Sequence, residues 1–144
     1  MRVFIHENNE KNKELKDGMV YKIKKSDEDI VYILNKNNSK YIYIIYSIQI
    51  LPLKLNEKRV EIFNSQNMLN KNNSNRIDKS LEWIAESNEK FAPENLLLVN
   101  SIYEKEYFSD ILLDKYIIII PGGGIAIKLD SLDDFNIIYK KQRI

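Results

Sequence analysis

The chain has 144 residues, 44% of them hydrophobic and 30% charged, with 22 lysines and arginines against 21 acids and no cysteine. That length suits one domain with its own core, and the near-neutral charge predicts no strong affinity for nucleic acid or anionic membrane. The missing cysteine excludes disulfides, thiolate metal sites and cysteine nucleophiles. No run approaches the roughly 18 apolar residues of a spanning helix. The N-terminus turns polar after five residues, too early for a signal-peptide core, so a cytoplasmic protein is expected. Charge is uneven along the chain. Between Ile77 and Asp114 nine acids face three lysines, and the remainder is correspondingly basic.

In chain order, Arg2 to Ile5 reads as a short strand followed by a polar loop. Met19, Tyr21 and Ile23 then alternate with Val20, Lys22 and Lys24, the pattern of a half-buried strand. Ile30 to Leu34 and Tyr41 to Leu51 follow after short polar turns, a spacing that predicts an antiparallel meander. Strict alternation in the third strand assigns Ile42, Ile44, Tyr46, Ile48 and Ile50 to the core. Tyr41, Tyr43, Ile45, Ser47 and Gln49 then form an outer face, with Tyr21 and Tyr32 as further aromatic candidates. Aromatic side chains on a sheet stack bases in several RNA-binding modules, although tyrosines also favour strands for packing alone.

Arg59 to Phe63 fits a short strand or a helical turn, and the asparagine-rich residues 64–75 a surface loop. A helix is predicted from Arg76, capped by Asn75 or Asp78, with Ile77, Leu81, Ile84 and Phe91 on its apolar face. On that helix Asp78, Glu82, Glu86 and Glu89 form an acidic ridge with Trp83 at its edge. Leu96 to Val99 fits either a buried strand, with a helix from Ile102 to Asp114 after it, or the first turns of a new helix. Tyr116 to Leu129, YIIIIPGGGIAIKL, reads as a β-hairpin closed by Pro121 to Gly124. Its four consecutive isoleucines need cover on both faces, which puts it in the middle of the fold. Asp130 or Ser131 caps a last helix, with Asp133 and Asp134 at its positive end and Lys140, Lys141 and Arg143 at the other. Leu132, Phe135, Ile138 and Tyr139 form its apolar face. The expected fold is a single α+β domain, residues 1–144. It has a mainly antiparallel sheet, with a meander and a late central hairpin, packed with two to four helices.

Catalytic signatures are absent from this reading. His6, the one histidine, has no orienting partner or nucleophile-elbow serine in the sequence, and reads as a surface or capping residue. Pro121 to Gly124 lacks the Lys-Ser/Thr of a P-loop and joins strands instead of opening a helix. Asp130, Asp133 and Asp134 suit helix capping better than magnesium. A non-enzymatic protein with no metal and no cofactor is expected.

In size, in its Ile, Lys and Asn content, and in the ending IIIIPGGGIAIKLDSLDDF, the chain resembles immunity proteins of bacterial polymorphic-toxin and contact-dependent growth-inhibition systems. The resemblance implies a small cytoplasmic protein that neutralises a cognate toxin by binding it and blocking its active site. A one-sign ridge beside the only tryptophan suits a basic partner, so Asp78, Glu82, Trp83, Glu86 and Glu89 are the candidate partner-binding residues. The alternative is a nucleic-acid- or nucleotide-binding module that uses the tyrosine-bearing face and the basic ends of the chain.

Overall fold

The β-branched and aromatic runs become strands throughout. The computed structural model describes residues 2–7, 17–24, 30–50, 58–65, 74–86, 97–103, 109–129 and 134–144, and within them it is all-β. There are twelve strands: β1 (Val3–Glu7), β2 (Met19–Ile23), β3 (Ile30–Asn35), β4 (Tyr41–Ile50), β5 (Lys58–Asn64), β6 (Asn75–Arg76), β7 (Leu81–Glu86), β8 (Leu97–Tyr103), β9 (Ser109–Asp110), β10 (Lys115–Ile119), β11 (Gly124–Leu129) and β12 (Phe135–Arg143). They form two six-stranded antiparallel sheets. The first runs β1-β10-β4-β12-β2, with β9 also pairing β4, and the second runs β6-β7-β3-β11-β5-β8.

Between the sheets lies one core. It draws Val3, Ile45, Ile48, Ile117, Ile119, Phe135 and Ile137 from the first sheet and Val31, Ile33, Val60, Ile62, Leu81, Ile125 and Ile127 from the second. Alternation along each strand aims these residues inward, as in any two-sheet sandwich. A smaller cluster lies on the outer face of the second sheet, where Ala126 sits in register between Tyr32 and Phe63, with Ile84 beyond Tyr32. The small residue leaves room for a ring on either side.

The structure overturns the α+β expectation at three places, each for a physical reason. Residues 75–86 form a two-strand hairpin, in which Asn75 pairs with Trp83 and Arg76 with Glu82. There LEWIAE alternates across the sheet: Leu81 and Trp83 face the core, and Ile84 faces the outer cluster. The helical spacing of Ile77, Leu81 and Ile84 lost to a pairing with β3 that buries Leu81 and Ile84 on opposite faces. Phe135 to Arg143 is likewise a strand, held between β4 and β2. Its Phe-Ile-Tyr alternation buries more than one side of a surface helix would. The supposed cap at 130–133 lies outside the described residues. The third place is the helix expected from Ile102 to Asp114: Leu97–Tyr103 is a strand paired with β5, the strand alternative left open for Leu96 to Val99, and Ser109–Asp110 is a short strand paired with β4.

Neither the meander nor the late hairpin forms. β2, β3 and β4 lie in the first, second and first sheets respectively, and β10 and β11 lie in opposite sheets. The connections 36–40 and 120–123 are therefore arches from one layer to the other. A loop of this length joins hairpin neighbours or arched layers equally well, so its length alone does not decide the pairing. Both strands of the expected hairpin are nevertheless interior to their sheets, β10 between β1 and β4 and β11 between β3 and β5.

The two arches interlock through Asn35, which is fully buried. Its side-chain amide donates to the carbonyls of Tyr41 (2.9 Å) and Ile119 (3.0 Å). Its backbone N–H donates to Gly123 O (2.9 Å), and its carbonyl accepts from Gly122 N–H (2.8 Å). Gly122 takes a positive φ of 84°, and a Cβ there would run into the Arg2 guanidinium. Gly124 faces backbone instead: a Cβ would meet Ser65 O at 2.6 Å.

In β4 the strict alternation predicted from sequence breaks. Against β12, Ser47 pairs with Ile138 and Ile45 with Tyr139, so Tyr46 is an extra residue at a bulge. One inserted residue flips the parity of everything beyond it. Ile48 and Ile50 face the core on one side of the bulge, and Ile45, Tyr43 and half-buried Tyr41 do so on the other.

Candidate functional site

One end of the sandwich collects the arch 36–40, the turn 77–80 and the last residues of β12. Backbone hydrogen bonds fix this end: Lys36 N–H donates to Ser80 O (3.0 Å), and Ile144 N–H donates to Lys40 O (2.9 Å). Tyr139, Lys141 and Arg143 are opposite Ile45, Tyr43 and Tyr41 in β4. The inward row of β12 thus runs Phe135, Ile137, Tyr139, Lys141, Arg143, changing from apolar to cationic as the strand leaves the core.

At this end is a cavity of about 340 Å³ lined by Lys36, Asn38, Ser39, Lys40, Tyr41, Lys79, Ser80 and Arg143. Four of these side chains are cations, and none of the described lining residues is an acid. Lys36 is paired with Glu82 at 2.8 Å. Lys40, Lys79 and Arg143 have no carboxylate partner among the described residues. Tyr41 stands among them: Lys79 Nζ, Lys141 Nζ and the Arg143 guanidinium lie 5.7, 5.1 and 5.9 Å from its ring centroid. Lys79 Nζ also donates to the Tyr41 hydroxyl (3.4 Å). That hydrogen bond, with the charges of Lys79 and Arg143, holds the Tyr41 hydroxyl below the usual phenol range against the opposing pull of burial.

The floor of the cavity is a satisfied polar network. The Ser39 and Ser80 hydroxyls are 2.5 Å apart, and the Tyr43 hydroxyl lies 3.2 Å from Ser80 Oγ and accepts from Ser80 N–H. Beside it Asp78 accepts from Tyr139 Oη (2.8 Å), Lys141 Nζ (2.9 Å) and Lys79 N–H (2.6 Å). Burial pushes the Asp78 carboxyl up, but these three donors outweigh it and set the carboxyl below its usual range. Burial, with the Asp78 hydrogen bond, pushes the Tyr139 hydroxyl well above the phenol range, so it stays a donor.

The residues picked from sequence as partner-binding do not form one ridge. Asp78 is in the turn, committed to Tyr139 and Lys141. Glu82, on the outer face of β7, accepts from Ser74 Oγ (2.7 Å) and pairs with Lys36. Trp83 points to the opposite face, toward the core, and donates from Nε1 to Tyr21 Oη (3.1 Å). Glu86 is buried on the same face as Glu82, where its charge adds to the upward push of burial on the Tyr32 hydroxyl. Glu89 lies outside the described residues. A strand shows residues 82 and 86 on one face and 83 on the other, which separates what a helix would have joined.

His6 is exposed on the first sheet, edge-on to the Tyr116 ring at 5.2 Å. Asp134 lies 3.9 Å from Lys22, while Asp130 and Asp133 fall outside the described residues. Among the described residues no three His, Asp or Glu side chains converge as metal ligands, and no helix is long and apolar enough to cross a membrane. Lys40, Lys79 and Ser80 were missed in sequence. The usable signal was the alternation Tyr139-Lys141-Arg143, which appears only when 135–143 is read with period two. Comparison with protein-family models, curated proteins and solved structures finds no match for the chain.

Proposed function

We propose that this protein is a non-enzymatic, cytoplasmic binding module whose ligand is a nucleotide or single-stranded nucleic acid held in the pocket around Tyr41. The observation that carries the proposal is the convergence of Lys79 and Arg143 on the Tyr41 ring, in a cavity that Lys40 also lines and that has no carboxylate among its described lining residues. Like charges gathered in a concave site repel one another and focus a positive potential, which an anion relieves. An exposed cation on an aromatic face is worth about 0.5–1 kcal/mol. A charge-assisted hydrogen bond is worth roughly 1.5–3 kcal/mol. A phosphate therefore outcompetes Tyr41 for these cations, and the ring face they release is open to a base. At about 340 Å³ the cavity is at the small end of ligand pockets.

The test is fluorescence anisotropy of a labelled single strand, titrated at several salt concentrations. Lys79→Ala with Arg143→Ala should weaken binding at least about ten-fold and reduce the salt slope by about 1.4, the share of two phosphate contacts on a single strand. Absence of binding at low salt, or identical binding by the double variant, contradicts the proposal. A toxin inhibitor acting through Asp78, Glu82, Trp83, Glu86 and Glu89 would have to release those acids from Lys141 and Lys36 and turn Trp83 out of the core. For such an inhibitor, Glu82→Lys with Glu86→Lys would abolish partner capture, a change that nucleic-acid binding at Tyr41 does not predict.

A further inference from the structure

The way the cations are arranged narrows the ligand further, on the premise that the pocket binds a nucleotide or nucleic acid. Lys40 comes from the arch, Lys79 from the β6–β7 turn and Arg143 from the end of β12, so three separate elements deliver charge to one cavity. Proteins that track a strand's backbone spread their cations along a groove, because each internal phosphodiester carries a single charge. Convergence suits a different anion. A phosphate monoester carries about −1.5 to −2 charges near pH 7 and offers three acceptor oxygens on one centre.

We propose that the pocket recognises a phosphate monoester, the terminal phosphate of a mononucleotide or of a strand end, in preference to an internal phosphodiester. Several features bear on this. Ser80, at the floor, is 8% exposed and its hydroxyl is already bonded within the protein, so the cavity is closed at that side. The Ile144 to Lys40 hydrogen bond fixes the end of β12 against the arch, which keeps Arg143 opposite Tyr41. Lys79 and Arg143 need only swing from the ring to a phosphate seated beside it. Tyr41 is then left to the adjoining nucleoside.

The experiment compares one short single strand in three forms: 5′-phosphorylated, 3′-phosphorylated and with both ends free. Adenosine monophosphate, adenosine and inorganic phosphate serve as competitors. A phosphorylated form should bind at least about ten-fold more tightly than the free-ended strand, the equivalent of one charge-assisted contact, and Lys79→Ala with Arg143→Ala should remove that difference. Competition by adenosine monophosphate but not by adenosine points to a free nucleotide as the source. Preference for the phosphorylated strand without such competition points to a strand end. Equal affinity for all three strands overturns this inference and leaves the nucleic-acid reading standing. Failure of every strand and nucleotide to bind at low salt overturns both.

Discussion

Asp78 shows how one side chain changes meaning with its backbone. On a helix it would open an acidic ridge; in a four-residue turn it accepts hydrogen bonds from Tyr139, Lys141 and its neighbour's N–H. Its carboxyl and that of Glu82 are both set below their usual range: burial pushes each up, and hydrogen bonds, chiefly from Lys141 and Lys36 respectively, outweigh it. A carboxyl with a lowered folded pKa contributes stability that is complete above its unfolded value, about 4, and is lost as pH falls through the folded one. Asp78→Asn should therefore lose about 1–2 kcal/mol at pH 7, the size of a partly screened ion pair and its hydrogen bonds. At acid pH, below the folded value, the deficit should have shrunk toward zero. Urea melts of the two proteins at both pH values check this, and a deficit independent of pH would assign the loss to packing instead.

At the scale of elements, the decisive features are two arches and one bulge. Asn35 joins the arches by hydrogen bonds to carbonyls of two different strands of the first sheet. Asn35→Ala takes the side-chain donor from the Ile119 carbonyl and leaves the Tyr41 carbonyl with only the Ser39 hydroxyl as side-chain donor, and should cost roughly 2–4 kcal/mol, read as a lower denaturation midpoint with an unchanged slope. An unaltered midpoint would show that the arches hold without it. Strand positions were largely legible in the sequence, because Ile and Tyr runs such as IVYIL and YIYIIYSIQI favour strands. The partners of those strands were not legible. PGGG signals a turn but not whether the chain returns in the same layer, and Tyr46 does not announce itself as the extra residue that turns Tyr41 and Tyr43 inward. LEWIAE and FNIIYKKQR carry both a helical and a strand period, and only the open slots beside β3 and β4 choose between them.

For the whole molecule, the result is a two-layer sandwich with an apolar middle and one cationic end. The near-zero net charge concealed that end, since its lysines and arginine come from three distant parts of the chain and are balanced by acids elsewhere. The two tyrosines expected to form an exposed face instead lead from the core, at Tyr43, to the pocket, at half-buried Tyr41. On the proposed function the pocket around Tyr41, and not the acidic face of β7, is the working surface. Titrating the isotopically labelled protein with adenosine monophosphate or a short phosphorylated strand, and following every backbone amide by NMR, tests it most directly. The predicted result is a set of saturable shifts confined to residues 36–41, 78–80 and 141–144. Saturable shifts centred instead on Glu82, Ile84 and Glu86, or no shifts at millimolar ligand, would contradict it.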